Sequence, residues 1–109
     1  MSITDSFDPV GKPLITPAAA YLKSPYSLDV CVINFSQKIM DALTDDGVVE
    51  LLEAERIRCV ACYFPIYRVR GTNIGVVRTT VGAPITATLT EEISYVYSCR
   101  KFVMFGSCG

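Results

Sequence analysis

The hydrophobic positions of this chain change their period along its length. "DVCVINF", residues 29–35, is a short unbroken apolar run rich in β-branched residues, the pattern of a strand covered on both faces. After it the period lengthens: in "QKIMDALTDDG" Ile39, Met40 and Leu43 share one helical face, Ser36 stands at the N-cap position and Gly47 lies beyond the end. "VVELLEAE" reads as a second short amphipathic helical piece. From Ile57 the period falls to two, so "IRCVACYFPIYRVRG" and "NIGVVRTTVG" read as two strands joined in a hairpin at "RGTN". Pro65 makes the first of them an edge strand or a bulged one. "APITATLTEEISYVYSC" returns to helical spacing through Ile85, Leu89, Ile93 and Val96, with Pro84 near its start. "KFVMF" closes the pattern as another buried strand.

Strand, helix, hairpin, helix, strand is the order of an α/β sheet with flanking helices. Ahead of it, residues 1–27 carry Pro9, Pro13, Pro17 and Pro25 and read as an extended arm, with a helical turn in "TPAAAYLKS" capped by Thr16. The domain proper therefore runs over 28–109. Ligands of such sheets sit beyond the carboxyl ends of the strands. Two segments occupy that position, "NFS" after the first strand and "GSCG" after the last.

Composition narrows the function classes. The chain has 109 residues, 50% of them hydrophobic, with a mean hydropathy of +0.36, which is too apolar for a disordered chain. The same greasiness implies apolar surface that another chain or further sequence would cover. Ten basic and eleven acidic residues are well mixed, so no nucleic-acid footprint is expected. Charges interrupt every apolar run and "MSITDSFDPVGKP" lacks the features of a signal peptide, so no membrane span is expected and the cytoplasm is the expected compartment.

The five cysteines suit buried thiols. Cys59 and Cys62 form a C-x-x-C inside a β-like run, where positions three apart face opposite sides, and the chain has no histidine to complete a zinc site. No metal or cofactor is expected. Without histidine there is also no usual general base, and no catalytic residue is assigned.

Two stretches carry chemistry together. "VGAPITATLTEEI" and "KFVMFGSCG" each place glycine where backbone must come close to a neighbour, and the second adds a serine hydroxyl and turn N–H groups past a strand end. As a pair they resemble the nucleoside phosphorylase superfamily, which holds uridine phosphorylases, hexameric-type purine nucleoside phosphorylases and related nucleosidases. The resemblance runs over residues 30–109 and is most specific across 81–92 and 102–109.

This resemblance implies a partial nucleoside phosphorylase-like mixed sheet, cut after the Gly-Ser-Cys-Gly strand end, in a homo-oligomer. It implies nucleoside and phosphate as ligands, with phosphate as co-substrate rather than cofactor. Ser107 and Gly106 then fall at the phosphate position, and Gly82 packs near the ribose-phosphate site. The family's arginine two residues before the last motif's glycine is Met104 here, and its Gly-Asp-Pro-x-x-Arg loop reads "NFSQKIM". Two guanidinium clamps are thus replaced. Lys38 is the candidate for one restored charge, and Arg58 or Arg56 for the arginine a neighbouring subunit contributes. Glu91 and Glu92 read as solvated or capping charges in mid-helix.

The expectation is a truncated relative whose parental activity is nucleoside N-glycosidic bond cleavage, inactive as this chain because the base- and ribose-binding half lies beyond the last motif. A self-associating, non-catalytic binding or structural module, using the exposed sheet edge, is the alternative.

Overall fold

The computed structural model describes residues 10–12, 15–59, 62–80 and 82–107. In the arm, α1 (Pro17–Ala20) forms where the sequence places it: Pro17 takes the first helical position and the Thr16 side chain accepts a hydrogen bond from the Ala19 N–H. The sheet and its helices follow as β1 (Val30–Asn34), α2 (Gln37–Asp45), β2 (Val49–Cys59), β3 (Cys62–Val69), β4 (Ile74–Arg78), α3 (Ala83–Val96) and β5 (Phe102–Met104). The five strands form one mixed sheet in the order β2-β3-β4-β1-β5. β1 runs parallel to both β4 and β5, while β2, β3 and β4 are joined antiparallel.

Strand alternation divides the core between two faces. Cys31 and Ile33 of β1 and Val77 of β4 point to one side, where Leu89, Ile93 and Val96 of α3 meet them. Val76 of β4 and Met40 of α2 pack on the other side with Val49, and Val32 joins them from β1. The architecture is α/β with helices on both faces of the sheet. Leu28 and Tyr97 extend the larger cluster toward the arm, fixed by the Leu28 N–H to the Tyr97 carbonyl and the Ser24 N–H to the Val96 carbonyl.

Several expectations change or narrow. "VVELLEAE" is not helical but belongs to β2, eleven residues long, with Glu50 held 2.8 Å from Arg68 across the β2–β3 pair. Register shifts between Leu51 and Glu53, and between Glu53 and Ile57, break the apolar alternation that would mark a strand. Pairing with β3 overrides the local helical spacing. Pro65 lies in β3, an interior strand, so the edge alternative fails and the bulge alternative holds: the pairing skips from Glu53↔Ile66 to Ile57↔Phe64 around it. β5 is not a buried strand. It has only β1 beside it, α2 packs over β2 and β4 instead, and Val103 and Met104 are 53% and 50% exposed.

The hairpin at "RGTN" forms as expected between β3 and β4, with Gly71 at φ +74. Cys59 ends β2 and Cys62 begins the antiparallel β3, and the backbone register sets the two opposite one another. They are cross-strand partners rather than positions on one continuous strand, so the opposite-sides argument against a paired role does not apply. Among the described residues, no helix is long and apolar enough to cross a membrane.

Candidate functional site

Because β1, β4 and β5 are parallel, their carboxyl ends finish on one edge of the sheet. Asn34 is in register with Arg78, and Ile33 with Met104. The chain continues from these ends as Phe35-Ser36, Thr79-Thr80 and Phe105-Gly106-Ser107. Ser36 is the N-cap of α2 and Gly82 that of α3, and neither supplies a side-chain cap. Both helices therefore start at this edge with first-turn N–H groups that no cap side chain accepts, at the positive ends of their dipoles. Gly82 holds φ +125, a backbone state an L side chain rarely adopts.

A buried polar seam underlies the edge. The Asn34 side chain is fully buried, donates to the Val77 carbonyl at 3.3 Å and accepts from the Ser36 N–H at 3.1 Å. The Thr79 N–H donates to the Asn34 carbonyl at 2.8 Å, and the Thr79 and Thr86 hydroxyls lie 3.1 Å apart, joining β4 to α3. The Thr80 hydroxyl is buried and meets no hydrogen-bond partner. An orphaned hydroxyl of this kind carries a desolvation cost. The sequence signal for this seam was present: Asn34 closes an apolar run, and Thr79-Thr80 close another.

Two cavities flank Phe35. One, about 590 Å³, is lined by Phe35, Ser36, Ile39, Phe105, Gly106 and Ser107. It brings the two segments singled out from sequence, "NFS" and the start of "GSCG", onto common walls. The other, about 1020 Å³, runs along α3 and β5 between Gly82, Thr86, Tyr95, Phe102 and Met104. Ser107 and Gly106 thus line the first cavity and Gly82 the second, while Phe35 belongs to both. The Phe35 ring reaches Gly106. Cys108 and Gly109 lie outside the described residues.

The proposed charges are dispersed. Lys38 is exposed in the first turn of α2 and is not on the wall of the Ser107 cavity. Arg58 stands on β2, at the opposite edge of the sheet from β5 and roughly 19 Å away at ordinary strand spacing. Its guanidinium sits over the Tyr63 ring at 5.6 Å, and Arg56 pairs with Glu53 at 2.7 Å. Within one chain neither arginine joins the Ser107 cavity. Arg78, at the end of β4 in register with Asn34, is an exposed cation nearer that edge which sequence reasoning passed over.

The surroundings of Glu53 and Glu92 shift their carboxyls, and Glu92 departs from its sequence reading. Burial works against the Glu53 charge, but hydrogen bonds from Arg56 and Ser24 hold its carboxyl below the usual range. The buried Tyr97 hydroxyl sits beside that carboxylate without completing a hydrogen bond, and burial with the Glu53 charge raises the phenol. Glu91 is exposed as expected; Glu92 is half-buried, with one carboxylate oxygen out of solvent and unpartnered.

As chemistry, the edge offers hydroxyls, turn backbone and two uncapped helix starts, with cations at its margin. That set suits the binding of an anion. No protein-family model matches this chain, and neither the curated proteins nor the solved structures compared with it give a match.

Proposed function

We propose that this chain is the N-terminal portion of a nucleoside phosphorylase-like domain and carries part of the phosphate and ribose side of its site. The parental activity is cleavage of a nucleoside N-glycosidic bond, by phosphorolysis or hydrolysis. Its setting is a cytoplasmic homo-oligomer with phosphate as co-substrate. The supporting observation is the cavity that brings Ser36, Gly106 and Ser107 together at the carboxyl ends of parallel strands. Ser107 contributes its hydroxyl and turn backbone to the anion, and Lys38 is the nearest proposed cation on α2. Arg58 takes part only from a neighbouring subunit.

By itself the chain is inactive in this reading, because it holds neither histidine nor another placed general acid for the leaving base. The test is incubation of the purified chain with uridine, inosine and adenosine, with and without phosphate, followed by chromatography of the free base. Release of base above a no-protein control overturns the inactive reading. Phosphate binding lost in Ser107→Ala supports the site, and binding unchanged by that substitution removes Ser107 from it.

A specific observation favours the alternative, a self-associating binding or structural module. β5 is an edge strand whose Val103 and Met104, with Phe105 just after it, are 53%, 50% and 44% exposed, so association would bury an open apolar edge. Sedimentation decides it: a sharp species at 11.9 kDa across the micromolar range excludes self-association.

A further inference from the structure

We propose that residues 15–24 form a pH-responsive strap whose seating on α3 is controlled by the Glu92 carboxyl. The geometry is that of a charged group closed in by the strap. α1 packs against α3, and a small cavity of about 130 Å³ between them is lined by Ile15, Pro17, Tyr21, Thr88 and Glu92. Glu92 is on the wall of this cavity, and one of its carboxylate oxygens is out of solvent with no hydrogen-bond partner. A neutral carboxyl tolerates such a place far better than a carboxylate does.

Of the groups around Glu92, one opposes its charge and one favours it. From α3 itself Glu91 repels its charge, and from the strap Tyr21 favours the ionised form. The one hydrogen of the Tyr21 hydroxyl goes to the Arg58 carbonyl of β2, which ties the strap to the sheet. The cations of the packed elements are engaged elsewhere: Arg56 with Glu53, Arg58 over Tyr63 and Lys23 over the Tyr95 ring at 5.1 Å. Burial is the largest influence, and the Glu92 carboxyl is raised above its ordinary 4.5. For an acid raised by seating, the seated state is favoured below the ordinary value and weakens as pH rises through the seated one. Pro17 also lines the large cavity along α3 and β5, so the strap that Glu92 governs forms one wall of that cavity.

Hydrogen exchange read by mass spectrometry on the intact chain tests this. Peptides covering residues 15–28 are compared between wild type and Glu92→Gln, at about pH 4 and about pH 7.5, on either side of the ordinary carboxyl value. The substitution keeps the shape and removes the charge. Slower strap exchange in the variant, by several-fold at the higher pH and not at the lower, is the expected result. Each pKa unit of raising corresponds to about tenfold in the seating equilibrium. Equal strap exchange at the higher pH, or the same difference at both, overturns the proposal. β1 and β4 amides serve as the folding control. If the variant loses their protection, the wild type decides: its strap-to-core protection ratio must fall as pH rises, and a constant ratio overturns the proposal.

Discussion

The Phe35 ring lies 3.1 Å from the point where a β-carbon on Gly106 would stand. One residue follows β1 and the other follows β5, and both line the Ser107 cavity. Contact between them lies at the carboxyl edge of the sheet, on the cavity where the proposed function places phosphate. Gly106→Ala is therefore expected to push the ring aside and cost about 1 kcal/mol, at the low end for overpacking because Phe35 is 38% exposed. In a double-mutant cycle with Phe35→Ala, measured by urea denaturation, the cost of Gly106→Ala should shrink. Simple additivity would show that the ring is not what Gly106 accommodates.

A tighter approach occurs inside the sheet. A β-carbon on Gly75 of β4 would fall 2.5 Å from Leu28 Cδ1 and 3.4 Å from two further Leu28 atoms, and Leu28 is buried. Because the leucine is enclosed, its movement disturbs the core. Gly75→Ala should destabilise by about 2 kcal/mol, and Leu28→Ala by about 3 kcal/mol through lost burial and a cavity. The double variant should be more stable than the sum of the two costs predicts. Thermal and denaturant midpoints of the four proteins measure this directly.

Thr79 and Thr86 share a buried hydrogen bond between β4 and α3. Replacing only Thr86 by Val leaves the Thr79 hydroxyl with a single long contact, 3.4 Å to the Thr80 carbonyl. That change is expected to cost about 1 to 2 kcal/mol, the penalty of stranding a buried polar group. Replacing both by Val removes the stranded hydroxyl and should cost less than the two single changes added. Equal additivity in denaturation would mean that the pair is not coupled.

Glu53 gives stability a defined acid dependence. Its carboxyl is held down in the folded chain by Arg56 and Ser24 against the effect of burial. A lowered folded value means that its contribution is present above the ordinary 4.5 and is lost as pH falls through the folded value. Melting temperature should therefore decline below that point more steeply in wild type than in Glu53→Gln. Above it, Glu53→Gln should be the less stable protein by about 2 kcal/mol, the scale of charge-assisted hydrogen bonds. Parallel pH profiles for the two proteins would count against this.

Much of this fold was legible where local and tertiary signals agree. β1 and the helices α2 and α3 follow from apolar spacing, because each buries one contiguous set: Cys31 and Ile33 on one side of β1, Met40 on α2, Leu89 and Ile93 on α3. β2 was hidden because its register shifts place Leu52 and Ile57, five residues apart, in one core cluster, a spacing that neither strand nor helix period explains. The site was half legible. Residues past strand ends are visible in any alternating pattern, so the placing of Ser107 and the "NFS" segment at the carboxyl edge of the sheet was legible. That Phe35 separates the Ser107 and Gly82 cavities depends on the direction of one ring, which no linear pattern encodes. Glu92 was misread for a related reason: the strap that buries it comes from residues 15–24, far away in sequence.

Cysteine reactivity gives a last check on the layering. Cys31 sits fully buried in the interior strand β1, where desolvation and then the neighbouring Cys99 push its thiol up to about 12. Cys99, also buried, is raised by the same loss of water and donates to the Lys101 carbonyl at 3.3 Å. Cys62 is exposed on β3. Since the thiolate is the nucleophile, access and ionisation act in the same direction here. Iodoacetamide at about pH 8, near the ordinary thiol value, should alkylate Cys62 within minutes. Cys31 and Cys99 should react only at the rate of global opening, slower by at least about a hundredfold for a domain of ordinary stability. Peptide mapping over a time course measures all three sites. Rapid labelling of Cys31 in the native protein would be incompatible with a closed α3 face, whereas equal rates for the three cysteines in urea would show that burial alone protects them.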